Sequence, residues 1–225
     1  VTLWELSQVY NALDRFGKSS SPSFIRKITD QAGRLLYDNT HFSDIWSSWD
    51  SRLDGAIKAL NFEEPQPISE QTAYLMTKLL QNVVQGGTAA RAQELKRPAA
   101  GKTGTTNDNF DAWFMGFTPD LVTGVWVGYD SYDFPMGRYE VGGRASLPIW
   151  LEYMKAALQK KTEKRFRIPS GIVFSRIDPK TGLLARTESD TAVVEAYVKG
   201  SEPMTLSHQK NALPQNSFFK VDVGL

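Results

Sequence analysis

Apolar residues recur along this chain with two different periods, and the switches between them mark out its elements. Leu3, Leu6, Tyr10 and Leu13 fall three and four apart, one face of a short helix that Phe16-Gly17 closes. After a polar loop from Lys18 to Ser23, Phe24–Thr29 and Arg34–Tyr37 alternate in part and read as a hairpin turned at Asp30-Gln-Ala-Gly33. Between Asn39 and Pro67, Trp46, Trp49, Leu53, Ile57 and Leu60 hint at packing, but Ser and Asp interrupt them and no element is decided. Ser69 is the expected N-cap of a helix carrying Leu75, Met76, Leu79, Leu80 and Val83, with Gly86-Gly87-Thr88 at its end. Thr88 to Leu95 has the pattern of a further short helix.

The period then changes. Ala99 to Thr106 reads as a strand, Asn107-Asp-Asn109 as a polar reversal, and Asp111 to Tyr129 as two strands around a turn at Thr118-Pro-Asp120. The last two are apolar on both faces, as in a strand covered from both sides, so helices are expected above and below three successive antiparallel strands. Gly142-Gly143 opens the next element, a helix with Leu147, Trp150, Leu151, Met154 and Leu158 on one face and Pro148 in its first turn. Its end is basic, which suits a helix C-terminus in part and otherwise a surface near a charged wall or membrane. From Pro169 the pattern gives a strand, a turn at Asp178-Pro-Lys-Thr-Gly182, a second strand, a third within Ala192–Gly200, and a polar tail from residue 201. The expected division is a body over 1–168 and a small β appendage with its tail over 169–225. No internal repeat is visible.

Composition narrows the chemistry. With 225 residues, 41% apolar and 23% charged, the chain can bury a substantial core. A net charge of +1 gives no general case for a polyanion partner, and basic and aromatic residues do not interleave as a nucleic-acid platform requires. The absence of Cys excludes disulfides, thiol catalysis and zinc–thiolate sites. His41 and His208 stand too far apart in sequence for a His-x-x-x-His metal pair. A P-loop would need Gly where Lys96 stands, and no Gly-x-Gly-x-x-Gly occurs. There is no 18-residue apolar run and no signal segment. The opening VTLWELSQVYNAL lacks Met and reads as a helix already under way, so the chain is expected to be a piece of something longer.

The candidate chemistry lies in Lys102-Thr-Gly-Thr-Thr106. One cation and several hydroxyls on a strand suit a carboxylate or phosphate receptor, and Gly104 lets a ligand approach the backbone closely. The same residue types also suit a solvated hairpin edge. Asn107, Asp108, Asn109 and Asp111 read as turn formers and strand-end caps, or else as part of the site rim; Thr88 and Arg91 are candidates for the cleft lining, or else a helix start and a surface cation. Trp113, Trp126 and Trp150 read as core aromatics. The loop from Tyr129 to Phe134 is aromatic and acidic, placed either over a cleft or as a cap on the sheet.

Lys102–Thr106, the run Trp113-Phe-Met-Gly-Phe-Thr-Pro119, Val125-Trp-Val-Gly-Tyr129 and Gly142–Trp150 together resemble the transpeptidase domain of class A (bifunctional) penicillin-binding proteins, whose third motif is Lys-Thr-Gly. The resemblance covers essentially residues 1 to 200. It implies an α+β fold of the serine β-lactamase/penicillin-binding type, with a mainly antiparallel sheet covered by helices on both faces. This chain would supply the last three strands and closing helix of a partial domain. It implies peptidoglycan D,D-transpeptidation by an acyl-enzyme, with stem peptides and β-lactams as ligands, no metal or cofactor, and a place on the outer face of the bacterial cytoplasmic membrane. Lys102 would supply positive potential and assist proton transfer, the N–H of Thr105 would be half an oxyanion hole, and Thr103, Gly104, Thr105 and Thr106 would bind substrate, with Thr88 and Arg91 as further candidates. The family's Ser-x-Asn does not occur here. Ser207-His-Gln-Lys210 fits the letters of Ser-x-x-Lys but follows the third motif in a polar tail. The nucleophile is therefore expected outside this chain, on the missing N-terminal part of the domain. A non-catalytic scaffold that keeps the fold, and a D,D-carboxypeptidase or serine β-lactamase, are the alternatives.

Overall fold

The structure, a computed structural model, describes residues 1–20, 22, 24–38, 65–131, 133–186 and 191–207. Helix α1 (Leu3–Asp14) starts inside the chain rather than being already under way: Thr2 and Glu5 form a capping box, each side chain accepting the other's backbone N–H at 3.1 and 2.7 Å. Phe16 and Gly17 end it with φ of 57° and 86°, and a Cβ on Gly17 would lie 2.0 Å from the carbonyl oxygen of Ile68. Strands β1 (Lys27–Thr29) and β2 (Leu35–Asp38) form the expected hairpin, its turn held by Asp30, which accepts the N–H groups of Ala32 and Arg34. The undecided stretch lies mostly outside the described residues.

Ser69 caps α2 (Glu70–Gly86) through the N–H of Thr72 at 3.1 Å. Gly87 ends it in an extended conformation (φ −100°, ψ −156°); its lack of a Cβ admits the Val83 carbonyl, which a Cβ would meet at 2.9 Å. The next short helix is 3-10, Ala90–Leu95, closed by Lys96 at φ 55°.

Strands β3 (Ala100–Thr105), β4 (Asp111–Thr118) and β5 (Leu121–Gly128) form an antiparallel sheet in that order, pairing Lys102 with Met115, Gly104 with Trp113, and Trp113 with Trp126. Alternation along β4 sends Phe114 to one face and Phe117 to the other. Helix α3 (Ser146–Leu158) covers the first face, packing Leu147, Trp150, Leu151, Met154 and Leu158 against Phe114 together with Val84, Ala92 and Ala99. On the second, Phe117 meets Leu13, Ala73, Leu80 and Ala100, with Tyr10 and Phe166 edge-on to its ring. The sheet is thus covered on both sides, as strands apolar on both faces require.

Trp113 and Trp126 depart from expectation. Trp150 is fully buried, whereas these two are half-buried and lean on each other at 6.2 Å between ring centroids. They share the α1 face with Met115 and Gly124, two residues nearer the Thr105 end of the sheet; a Cβ on Gly124 would meet Leu3 Cδ1 at 2.7 Å.

After α3, β6 (Ile172–Ile177) and β7 (Val193–Val198) pair antiparallel in a sheet of their own. The strand expected after the Asp178–Gly182 turn is absent: Leu184 makes only single bridges to Ile177 and Leu206, too little pairing to extend a ladder. Gln71 ties this region to α2 by donating to the Ser170 carbonyl at 2.8 Å.

One titrating group bears on stability. Asp14 ends α1 beside a cleft of about 370 Å³ lined also by Ser7, Gln8, Asn11, Asp120, Leu121 and Val122. Burial first, and then the Asp120 charge, raise its carboxyl from 3.8 to about 6, with Arg15 opposing and Lys164 paired to Asp120. The folded state holds this proton more tightly than the unfolded chain. Its contribution is therefore full at low pH and is lost as the pH rises through the window from 3.8 to about 6. Asp14→Asn is expected to stabilise the protein near neutral pH, by at most about 3 kcal/mol, and to leave it little changed at pH about 4. Thermal unfolding of both forms across that range checks it; a gain independent of pH would refute the account.

Candidate functional site

The site is built on the open edge of β3. Among the described residues, no strand lies beyond β3 on the side away from β4. The N–H of Thr106 donates to the Asp111 carbonyl at 3.1 Å, which fixes the phase of the ladder. In an antiparallel pair the bonding direction alternates, so Lys102, Gly104 and Thr106 bond towards β4, while Thr103 and Thr105 direct their N–H and C=O outward. Gly101 faces outward by the same phase, and the two edge-facing peptide units nearest the turn, at 103 and 105, belong to threonines.

Among the described residues, side-chain geometry leaves donors free on the same edge. Lys102 is exposed and gives one N–H to the Thr103 carbonyl at 2.7 Å, keeping two of its three donors. Thr103 and Thr88 place their hydroxyls 2.9 Å apart; one donates to the other, leaving one O–H to serve a ligand. Thr105 accepts the N–H of Gly142 at 3.1 Å, which occupies a lone pair and leaves its proton available. The cluster thus offers an ammonium, two hydroxyl protons and two outward N–H groups, all suited to an anionic or carbonyl oxygen.

Other sequence candidates fall elsewhere. Thr106 accepts the N–H of Asp111 at 2.8 Å and closes the turn, where Asp108 and Asn109 take positive φ. Asp111, 5% exposed, accepts the indole N–H of Trp126 at 2.7 Å, the strand-end role read from the sequence. Arg91 pairs with Glu94 at 3.4 Å, and Glu94 with Lys155 at 3.8 Å, so it stands as a surface cation towards α3. Ser207 is buried and donates to Asp178 at 2.7 Å, holding the turn after β6; a hydroxyl so placed is structural. Lys210 lies outside the described residues, as does Ser217-Phe-Phe-Lys220, a second fit to the same letters that also follows the third motif.

Gly142 and Gly143 are the site residues that periodicity missed. A Cβ on Gly142 would lie 2.3 Å from the Trp113 carbonyl oxygen and 2.7 Å from that of Gly104, and one on Gly143 would lie 3.2 Å from the Thr88 carbonyl oxygen. The pair lets the chain lie directly on the strand and hold Thr105. Gly104 plays a matching part, since its own Cβ would meet that of Trp113 at 3.1 Å. The signal available in sequence was the doubled glycine itself, which marks close backbone approach. Among the described residues no group of acidic or histidine side chains could hold a metal ion, and no helix is long and apolar enough to cross a membrane.

Residues 1–155 match the family described as the penicillin binding protein transpeptidase domain. The chain is 45% identical over 248 residues to penicillin-binding protein 1A of Pseudomonas aeruginosa, covering 97% of this chain and 30% of that protein. It is 37% identical over 213 residues to penicillin-binding protein 1A of Aquifex aeolicus, covering 95% and 26%. The crystal structure of penicillin-binding protein 1A from Haemophilus influenzae superposes with a TM-score of 0.78 at 31% identity, over 92% of this chain and 33% of that one. The chain thus spans a third or less of the length of each.

Proposed function

The chain belongs to the penicillin-binding protein transpeptidase family, and from that premise we propose that it forms the C-terminal part of a peptidoglycan D,D-transpeptidase. The observation that supports this most is the open β3 edge, on which the outward peptide units of Thr103 and Thr105 coincide with the Lys102 ammonium and the two free hydroxyl protons.

In this reading an extended acyl-D-alanyl peptide adds itself to β3 as a further strand. Its terminal carboxylate sits on Lys102, Thr103 and Thr105, and its scissile carbonyl points at the Thr105 N–H. A serine from the missing part of the domain attacks that carbonyl, and D-alanine leaves. An amine of a neighbouring stem then takes the acyl group, so that one difficult step becomes two easier ones. The Thr105 N–H stabilises the oxyanion in both, and a donor so placed lowers the barrier by roughly 3 kcal/mol. β-Lactams enter as substrate mimics and leave a slowly hydrolysed acyl-enzyme. Exposed Trp4, Val9, Met76 and Leu79 on α1 and α2 offer apolar surface for the missing part. The whole protein would carry an upstream anchor and a glycosyltransferase, and work at the outer face of the bacterial cytoplasmic membrane.

Fluorescent penicillin tests this reading. The intact protein is expected to label covalently, with labelling blocked by unlabelled penicillin, and the 225 residues alone are expected not to label. An intact protein that never labels leaves a scaffold role instead.

A further inference from the structure

Between β5 and α3 the chain crosses the Thr105 end of the sheet in a loop that carries an arginine–tyrosine–arginine cluster. The Tyr139 ring is 64% exposed and has the Arg138 guanidinium carbon 5.9 Å and that of Arg144 5.7 Å from its centroid. Among the described residues neither arginine forms an ion pair, although Glu140 lies in the same turn. The two guanidinium groups meet on one ring and, among the described residues, keep most of their donors free, in a loop whose acids Asp130, Asp133 and Glu140 pair with neither.

The loop is pinned to the site at both ends of this cluster. Met136 donates its N–H to the Asn109 carbonyl at 3.0 Å, and the Asn109 amide donates to the Arg138 carbonyl at 3.3 Å. At the far end Gly142 is buried and its N–H donates to the Thr105 hydroxyl. The cluster therefore stands where β3 runs out, beside the turn at residues 107–109.

That position has a chemical meaning if the peptide lies as proposed above. With the terminal carboxylate towards Lys102–Thr103 and the scissile carbonyl at the Thr105 N–H, residues upstream of the scissile bond continue past Thr105 towards this turn. Guanidinium groups bind carboxylates bidentately, and an exposed ring accepts the aliphatic stem that carries such a group. We infer that Arg138, Tyr139 and Arg144 form a subsite for a side-chain carboxylate on the acyl portion of the substrate, upstream of the scissile bond. The subsite favours acyl donors bearing that second negative charge. This rests on the transpeptidase reading.

The test compares benzylpenicillin with carbenicillin, which differs from it by one added carboxylate on the acyl side chain, in acylation of the full-length protein. In the double variant Arg138→Gln/Arg144→Gln, acylation by carbenicillin is expected to fall about tenfold, the scale of one lost charge-assisted contact. Acylation by benzylpenicillin should stay within about twofold, since exposed substitutions distant from its contacts change little. In the wild type, the carbenicillin-to-benzylpenicillin rate ratio should fall as salt is raised, because only the second charge distinguishes the two. Equal loss with both penicillins, no loss with either, or a ratio indifferent to salt overturns the subsite. A wild-type protein acylated by neither removes the transpeptidase reading, and the subsite with it.

Discussion

Lys102→Ala in the intact protein is expected to slow acylation by penicillin about 100-fold, the scale of losing one preorganised electrostatic contact at a developing charge. The residue is exposed and its ammonium donates to the adjacent Thr103 carbonyl, so the substitution should leave thermal stability within about 0.5 kcal/mol. Loss of acylation without loss of fold separates a receptor from an ordinary hairpin edge. The measurement is the second-order acylation rate, followed by stopped-flow or by labelled penicillin. An unchanged rate would show that the carboxylate is held elsewhere on the strand.

Trp150→Ala should have the largest effect on the fold. The indole is fully buried, stands edge-on to Phe114 at 5.0 Å, and donates to the Gly116 carbonyl at 3.3 Å. It fills the space that Gly116 leaves open, where a Cβ would come within 2.9 Å of the ring. Truncation removes the ring and opens a cavity between α3 and the sheet, costing about 3–5 kcal/mol. Thermal unfolding should show a midpoint lowered by on the order of 10 °C. Acylation should slow as well, because α3 follows directly from the glycines that lie on β3. A midpoint lowered by only a degree or two would mean that the helix is held by other contacts.

Much of the fold was legible because period and capping residues agree with one another. The 3.6-residue spacing of α1, α2 and α3 and the doubly apolar β4 each point to one element and one buried face. Boundaries depended on local chemistry: Thr2 and Glu5 begin α1 by a reciprocal cap that apolar spacing alone does not reveal. The expected strand at Leu183–Ala185 is reduced to single bridges from Leu184 to Ile177 and Leu206, because three apolar residues after a turn are too few to build a ladder. Trp113 and Trp126 were misread for a related reason. Hydrophobicity says that a residue can be buried, and only the packing of other elements decides how far it is covered.

The sequence by itself determined that Lys102, Thr103 and Thr105 share one strand, with two hydroxyls on one face and the cation on the other. It also carried the family resemblance, since a motif is a linear pattern. Tertiary structure alone decided which peptide units face the open edge, because that depends on the phase of pairing with β4 fixed at Thr106 and Asp111. It alone brought Thr88 and Gly142, 15 and 37 residues away from their partners, onto Thr103 and Thr105. Such contacts are set by packing between elements distant in sequence, and no local propensity encodes them.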